Sequence, residues 1–199
     1  MSVESKILDD ESFDILFRQA RTYSGWKDQE VTDVLIQAMY DLMKWGPTSM
    51  NCCPARFCFV KSPEAKERLK PYLMPGNVEK TMSAPVTVIV ANDLKFYEHL
   101  PDLFPQSDGA TYFKGKDNLI AETAMRNGTL QGAYMIMAAR ALGLDCGPMS
   151  GFDKQGVKDK FFADQNVQVN FICNIGYGDS QTLYPRNSRF DFDDVCKIL

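Results

Sequence analysis

Three groups of residues in this 199-residue chain have types and spacings that could do chemistry. Gly46-Pro47-Thr48-Ser49-Met50-Asn51 stops a helix and then presents two hydroxyls and an amide, groups suited to a polar ligand. Gly143 to Asp153 (G-L-D-C-G-P-M-S-G-F-D) is a glycine-rich turn. In it the backbone N–H groups of Ser150 and Gly151 stand just ahead of a helix N-terminus, a position that favours an electron-rich atom. Arg21 closes the first helix, and Arg186 and Arg189 lie in the C-terminal tail. Taken singly, each has a plain reading as a connecting loop, a turn or a solvated surface cation.

Other chemistries are excluded by what the chain lacks. With His99 as its one histidine, it cannot build a histidine-rich metal site. The cysteines Cys52, Cys53, Cys58, Cys146, Cys173 and Cys196 contain no C-x-x-C pair, so zinc-ribbon spacing is missing. Adjacent Cys52 and Cys53 bridge only through a strained ring and read as turn residues. Gly176-Tyr177-Gly178 follows a strand, but the third glycine of a dinucleotide fingerprint is Gln181 and no apolar helix follows. Twenty-two Lys and Arg against 26 Asp and Glu give a net charge of −4. That balance disfavours nucleic acid and anionic membrane as partners, because both want a basic field. No apolar run reaches the roughly 20 residues of a membrane span, and the polar start MSVESKILDDESFD has no secretory character. A reduced, cytoplasmic protein is expected.

Elements that must position these groups are legible from periodicity. Hydrophobic residues at 45% and charged at 24% are those of a globular chain. The apolar spacing of Phe13, Leu16, Phe17 and Ala20 predicts a helix over 12–21 with Ser12 as N-cap. A second helix is expected over 31–45, burying Val31, Val34, Leu35, Ala38, Met39 and Leu42, and ending at Gly46-Pro47. Strands are expected at 56–60, 86–91 and 167–177, and a helix starts at Ser62-Pro63. A short helical turn is expected at 77–82. The segment 94–117 has no clean period, as in a lid or binding element. The strongest helix covers 119–142, with Ala124, Gly128 and Gly132 forming a bare stripe. Each glycine costs about 1 kcal/mol relative to alanine, so close approach of another backbone is expected there. Phe152 and Val157 bracket Asp153 as a hydrophobic staple around an N-cap.

Read in order, these segments resemble the nitroreductase family of FMN-dependent oxidoreductases over nearly the whole chain. Arg21-Thr22 in R-T-Y-S-G-W is similar to the family's N-terminal phosphate motif, and K-W-G-P-T-S-M-N-C-C-P-A-R-F to its second flavin segment. Asn77-Val78-Glu79-Lys80 is similar to its Asn-x-x-Lys turn, G-L-D-C-G-P-M-S-G-F-D to the loop over the flavin ring, and N-S-R-F to its C-terminal phosphate segment. The phrases MKWGPTS, GNVEKT, GLDCGPMSGFD and NIGYGDS resemble the malonic semialdehyde reductase subfamily. The chain departs from the family pattern at Ala20 and Ser24, where further cations are common, and at Cys53, where glutamine is common.

The resemblance implies an α+β, nitroreductase-like fold with a central mixed sheet flanked by helices. It implies one domain over 1–199 with a C-terminal arm from about 178, assembled as a homodimer. FMN would be the cofactor, with NADH or NADPH as reductant. Arg21, Thr22 and Arg189 would hold its phosphate. Pro47, Thr48, Ser49 and Asn51 would reach ribityl chain and ring from the partner subunit. Asn77 and Lys80 would face the pyrimidine edge, where Lys80 stabilises developing negative charge. Met149 and the N–H groups of Ser150 and Gly151 would lie at N5 and O4. No protein nucleophile is implied, because the cofactor carries the hard step. Hydride would pass from NAD(P)H to N5 and then, ping-pong, to a small electrophile: a malonic semialdehyde-type aldehyde, a nitroaromatic or a quinone. A dehalogenase-type or enone reductase is another outcome within the fold. The alternatives outside it are a flavin-binding or carrier protein without NAD(P)H turnover, and an interaction module with no flavin.

Overall fold

The structure, a computed structural model, describes residues 7–199. Strands β1 (Ala55–Val60), β2 (Val86–Asp93), β3 (Asp145–Met149) and β4 (Val167–Gly176) form one sheet in the order β1-β2-β4-β3. The expected α+β class and helix-flanked sheet are present. All three strand pairings are antiparallel, so the mixed character reduces to one isolated parallel bridge, Thr22 to Cys146, on the free edge of β3. A parallel neighbour needs a single crossover. Between β1 and β2 the chain instead runs through two helices, α3 (Pro63–Leu69) and α4 (Pro75–Ser83), and re-enters pointing the opposite way.

The pleat sorts β2 into two cores, since successive residues face opposite sides. Val86, Val88 and Val90 pack with Val31, Met39, Met43 and Met135 on one side, while Ile89 and Ala91 pack with Leu69, Val157 and Ile172 on the other. The first side belongs to α2 (Asp33–Met43) and α7 (Asp117–Ala141), the second to α3 and α8 (Lys154–Phe161). Among the described residues no helix is long and apolar enough to cross a membrane.

α7 sets the spacing of the helical layer. A Cβ on Gly128 would collide with the buried side chain of Asn92, and one on Gly132 would stand 2.6 Å from the Phe171 ring. The bare stripe thus accommodates sheet side chains rather than another helix backbone. The next face of α7 is polar. Thr123, Asn127 and Gln131 are buried there at four-residue intervals.

Several local expectations are corrected. The first helix, α1 (Asp10–Phe13), starts two residues before Ser12 because the Asp9 carboxylate accepts the Ser12 N–H at 2.8 Å. It passes into a π-helical stretch, Asp14–Arg18, and ends before Arg21. In α2, Val34 and Leu42 are exposed instead of buried, and with Tyr40 and Trp45 they leave an apolar face uncovered. The segment expected to be aperiodic folds into α5 (Leu100–Leu103) and α6 (Gly109–Phe113). Phe96 and Phe113 meet edge to face at 4.9 Å and close a small core with Cys52, Leu100 and Ile120. α8 starts after Asp153, whose carboxylate caps Gln155 and Gly156, and both staple residues lie in one core, as expected. The tail ends in α9 (Phe192–Val195).

Gly128→Ala should therefore destabilise the protein by about 1–3 kcal/mol through overpacking. At this chain length that lowers the thermal midpoint by several °C. An unchanged midpoint would show that α7 does not need this approach.

Candidate functional site

β3 is an edge strand, and most of the predicted site residues are arranged about it. Pro148 is tolerated at its exposed edge because a proline cannot donate to a ladder. Thr22 bridges Cys146, and the Tyr23 N–H donates to the Cys146 carbonyl at 3.1 Å. A Cβ on Gly147 would stand 2.5 Å from the Tyr23 carbonyl, so glycine is what lets the Arg21–Tyr23 segment lie so close.

Arg21 and Thr22 open on a cleft of about 590 Å³ that also includes Arg140, Arg186 and Arg189. Among the described residues the guanidinium groups bond only to backbone carbonyls: Arg21 to Tyr184 at 2.6 Å, Arg186 to Ala20 at 3.0 Å and Arg140 to Leu16 at 3.0 Å. Arg189 donates to its own neighbours Asn187 and Ser188. None of the four has a carboxylate partner among the described residues, whereas nearby Arg18 pairs with Asp10 and Asp14. The buried Nε of Arg140 has no acceptor among the described residues. Asp145, near Arg140, is raised in pKa by burial, against the pull of the Gly178 N–H and of Lys27 and Arg140. A cluster of unpaired guanidiniums with donors to spare fits a phosphate, which arginine can bind in two-pronged fashion.

At the other end of β3 stand Met149, its last residue, then Ser150 and Gly151, with Asn77 of α4 beside them. The Asn77 Nδ2 donates to the Gly151 carbonyl at 2.9 Å, and a Cβ on Gly151 would collide with that amide. The N–H groups of Ser150 and Gly151 have no acceptor among the described residues. Lys80, on the last turn of α4, is half-buried and has no carboxylate partner among them. Its carbonyl accepts from the Trp26 indole at 3.0 Å and the Asn174 amide at 2.9 Å, tying α4 to the Arg21–Trp26 segment.

Pro47, Thr48, Ser49 and Asn51 do not join this group within one chain. Asn127 of α7 accepts the Ser49 N–H at 2.8 Å, and Gln131 accepts that of Ala55 at 2.8 Å. The Asn51 amide donates to the Leu103 carbonyl. Met50, Asn51 and Cys53 all have positive φ, a backbone strained for side chains other than glycine. The polar face of α7 holds the loop in that shape. Cys52 is buried, which pushes its thiol up to about 11, and both cysteines are free. They are turn residues, as expected. Exposed His99 stands 3.9 Å from Asp93 and apart from the β3 groups.

Arg140 and Arg186 join Arg21 and Arg189 on this cleft, and the spacing of the sequence does not bring Arg140 to it. The signal for Arg140 was present, since it is the sole charge between Asn127 and Leu142 on an otherwise apolar helix. These two cations add to a cleft where the chain has Ala20 and Ser24.

Residues 17–177 match the Nitroreductase family. A protein of Burkholderia lata, provisionally named NADH dehydrogenase/NAD(P)H nitroreductase, is 58% identical over 191 residues, which is 96% of this chain and 98% of its own. A solved Bacillus subtilis structure, provisionally named a nitroreductase, aligns with TM-score 0.87 at 21% identity over 95% of this chain and 99% of that one. Another from Exiguobacterium sibiricum, provisionally named a nitroreductase and solved in complex with FMN, aligns with TM-score 0.84 at 17% identity over 98% and 100%. At those identities the solved structures speak to the fold.

The cleft's charge makes an expectation of its own. Inorganic phosphate should raise the thermal midpoint of the ligand-free protein above that in chloride of equal ionic strength, with about 1.4 kcal/mol gained at ten times the dissociation constant. Arg140→Met should weaken the effect. Equal midpoints in phosphate and chloride would show that the cleft does not select phosphate.

Proposed function

This chain belongs to the nitroreductase family, and from that premise we propose that it is an FMN-dependent NAD(P)H oxidoreductase acting on a small electrophile as a homodimer. The observation that carries the reading is the pairing of two unlike sites: arginines in the cleft without carboxylate partners, and past the other end of β3 N–H groups without acceptors near α4 and its lysine, all among the described residues. FMN, when bound, supplies the two-electron chemistry that the side chains lack, accepting hydride from NADH or NADPH and returning it to an acceptor.

The chain's own residues hold and bias that group. Arg21, Arg140, Arg186 and Arg189 neutralise the phosphate, and Thr22 adds a hydroxyl. Asn77 and the Ser150 and Gly151 N–H groups orient the ring, which Met149 flanks. The Lys80 ammonium holds negative charge at the pyrimidine edge, an electrostatic role fixed before reaction and costing no reorganisation during it. Pro47, Thr48, Ser49 and Asn51 complete the site from a second copy. Their separation from the β3 group in one chain supports that arrangement, as does the uncovered apolar face of α2.

The name of the Burkholderia lata relative supports NADH or NADPH as reductant and a nitro compound as acceptor. A quinone is the other acceptor that this chemistry would serve. A malonic semialdehyde-type aldehyde rests on the sequence phrases alone.

The division of labour is testable. Arg189→Ala removes a charge-assisted contact worth about 1.5–3 kcal/mol, which corresponds to a roughly ten- to hundredfold rise in the FMN dissociation constant. Lys80→Ala should retain flavin better and chiefly slow its reduction by NAD(P)H, as followed by stopped-flow absorbance. Equal loss of occupancy in both variants would contradict these roles.

A further inference from the structure

Helix α4 carries Asn77 and Lys80, yet it cannot close its own C-terminus. The last carbonyls of a helix have no intrahelical partner and are commonly satisfied by a glycine in the left-handed conformation. Here Ala84 follows the helix in an extended conformation (φ −69°, ψ 140°), and Pro85 has no N–H to offer. Residues before proline are driven to that geometry by clash with the proline ring.

The carbonyls are capped from elsewhere in the fold. Lys66 of α3, 4% exposed, donates from Nζ to the carbonyls of Thr81 at 2.6 Å and Ala84 at 2.7 Å. Its third bond goes to the Thr87 hydroxyl on β2 at 2.9 Å. That hydroxyl donates to the Asn174 Oδ1 on β4 at 2.7 Å, and Asn174 returns its Nδ2 to the Lys80 carbonyl at 2.9 Å. Thr87 and Asn174 are register partners across the two central strands, so both are held by the sheet ladder. No carboxylate partners Lys66 among the described residues. A buried cation without a counter-ion is expensive unless its donors are used, and here all three are. Burial pulls this ammonium's pKa down to about 8.

We propose that Lys66, relayed by Thr87 and Asn174, is a positioning residue that sets where Lys80 stands against the flavin and thereby raises the flavin's midpoint potential. The inference rests on the Lys80 role given above. It differs from a packing role, because the contacts converge on the carbonyl of one functional residue and on the turn that carries it.

The test uses Lys66→Met, Thr87→Val and Lys80→Met, with Lys66→Met/Lys80→Met as the double variant. Thr87→Val removes the third acceptor of Lys66 and the donor to Asn174 while leaving both Lys66 bonds to the α4 carbonyls, so it carries the test even where Lys66→Met fails to fold. In flavin-free protein, amide hydrogen exchange should accelerate in Thr87→Val at residues 78–84 and stay unchanged in β2 and β4. In FMN-loaded protein, dye-equilibrated titration should give a more negative midpoint potential for Thr87→Val and Lys66→Met, in the direction of Lys80→Met. The double variant should lie no lower than Lys80→Met alone. Additive shifts would mean that Lys66 acts through its own charge. An unshifted potential in Thr87→Val, or exchange rising across the whole sheet, would overturn the proposal. Wild-type protein that retains no FMN would sink the flavin reading and the potential claim with it, while the exchange result still decides the anchoring of α4.

Discussion

The close approach of α7 to the sheet is the constraint on which the other arrangements depend. Gly128 and Gly132 let a 25-residue helix lie down on Asn92 and Phe171. That depth places Asn127 and Gln131 within reach of the loop 48–55, whose strained backbone they hold by accepting its N–H groups. The same helix delivers Arg140 to the cleft at the far end of the sheet. One buried element thus supports both the loop that stands apart and the arginine-lined cleft. A side chain at either glycine would disturb both.

Electrostatics complete the design. The protein is acidic overall, but its cleft collects guanidiniums that bond only to carbonyls, so their charge is left for a ligand. Their neighbours are main-chain groups of the segments they join, Arg21 to the tail and Arg186 back to Ala20. The tail is therefore docked by the same cations that form the cleft. The helices α4 and α8 are capped in contrasting ways. α8 is capped locally by Asp153, whereas α4 is held by Trp26, Lys66 and Asn174 from distant parts of the chain. Only the second kind of cap makes the position of a site residue depend on the sheet.

Local signals were legible wherever a single period or cap dominated. α7, β2, β4 and the Asp153 cap are readable because nothing in their neighbourhood competes with those signals. The segments that resemble the family's motifs are legible in the sequence, and the structure places Arg21, Thr22 and Arg189 on one cleft. β3 read as a turn, because Gly147 and Pro148 mask strand character that only its edge position permits. Val34 and Leu42 read as core, since a helix's apolar stripe does not distinguish its own sheet from a second surface. Arg140 and Lys66 could not be assigned, because their partners lie 124 and 15 or more residues away. Tertiary contacts, not spacing, give those residues their roles.

The most direct test is the visible spectrum of protein incubated with FMN, desalted and then mixed anaerobically with NADPH or NADH. A retained flavin spectrum that bleaches with either nucleotide is the result expected of a flavin held by its phosphate in the arginine cleft and biased by Lys80. Flavin that is retained but stays oxidised would point to a carrier, and protein that emerges colourless would contradict the account.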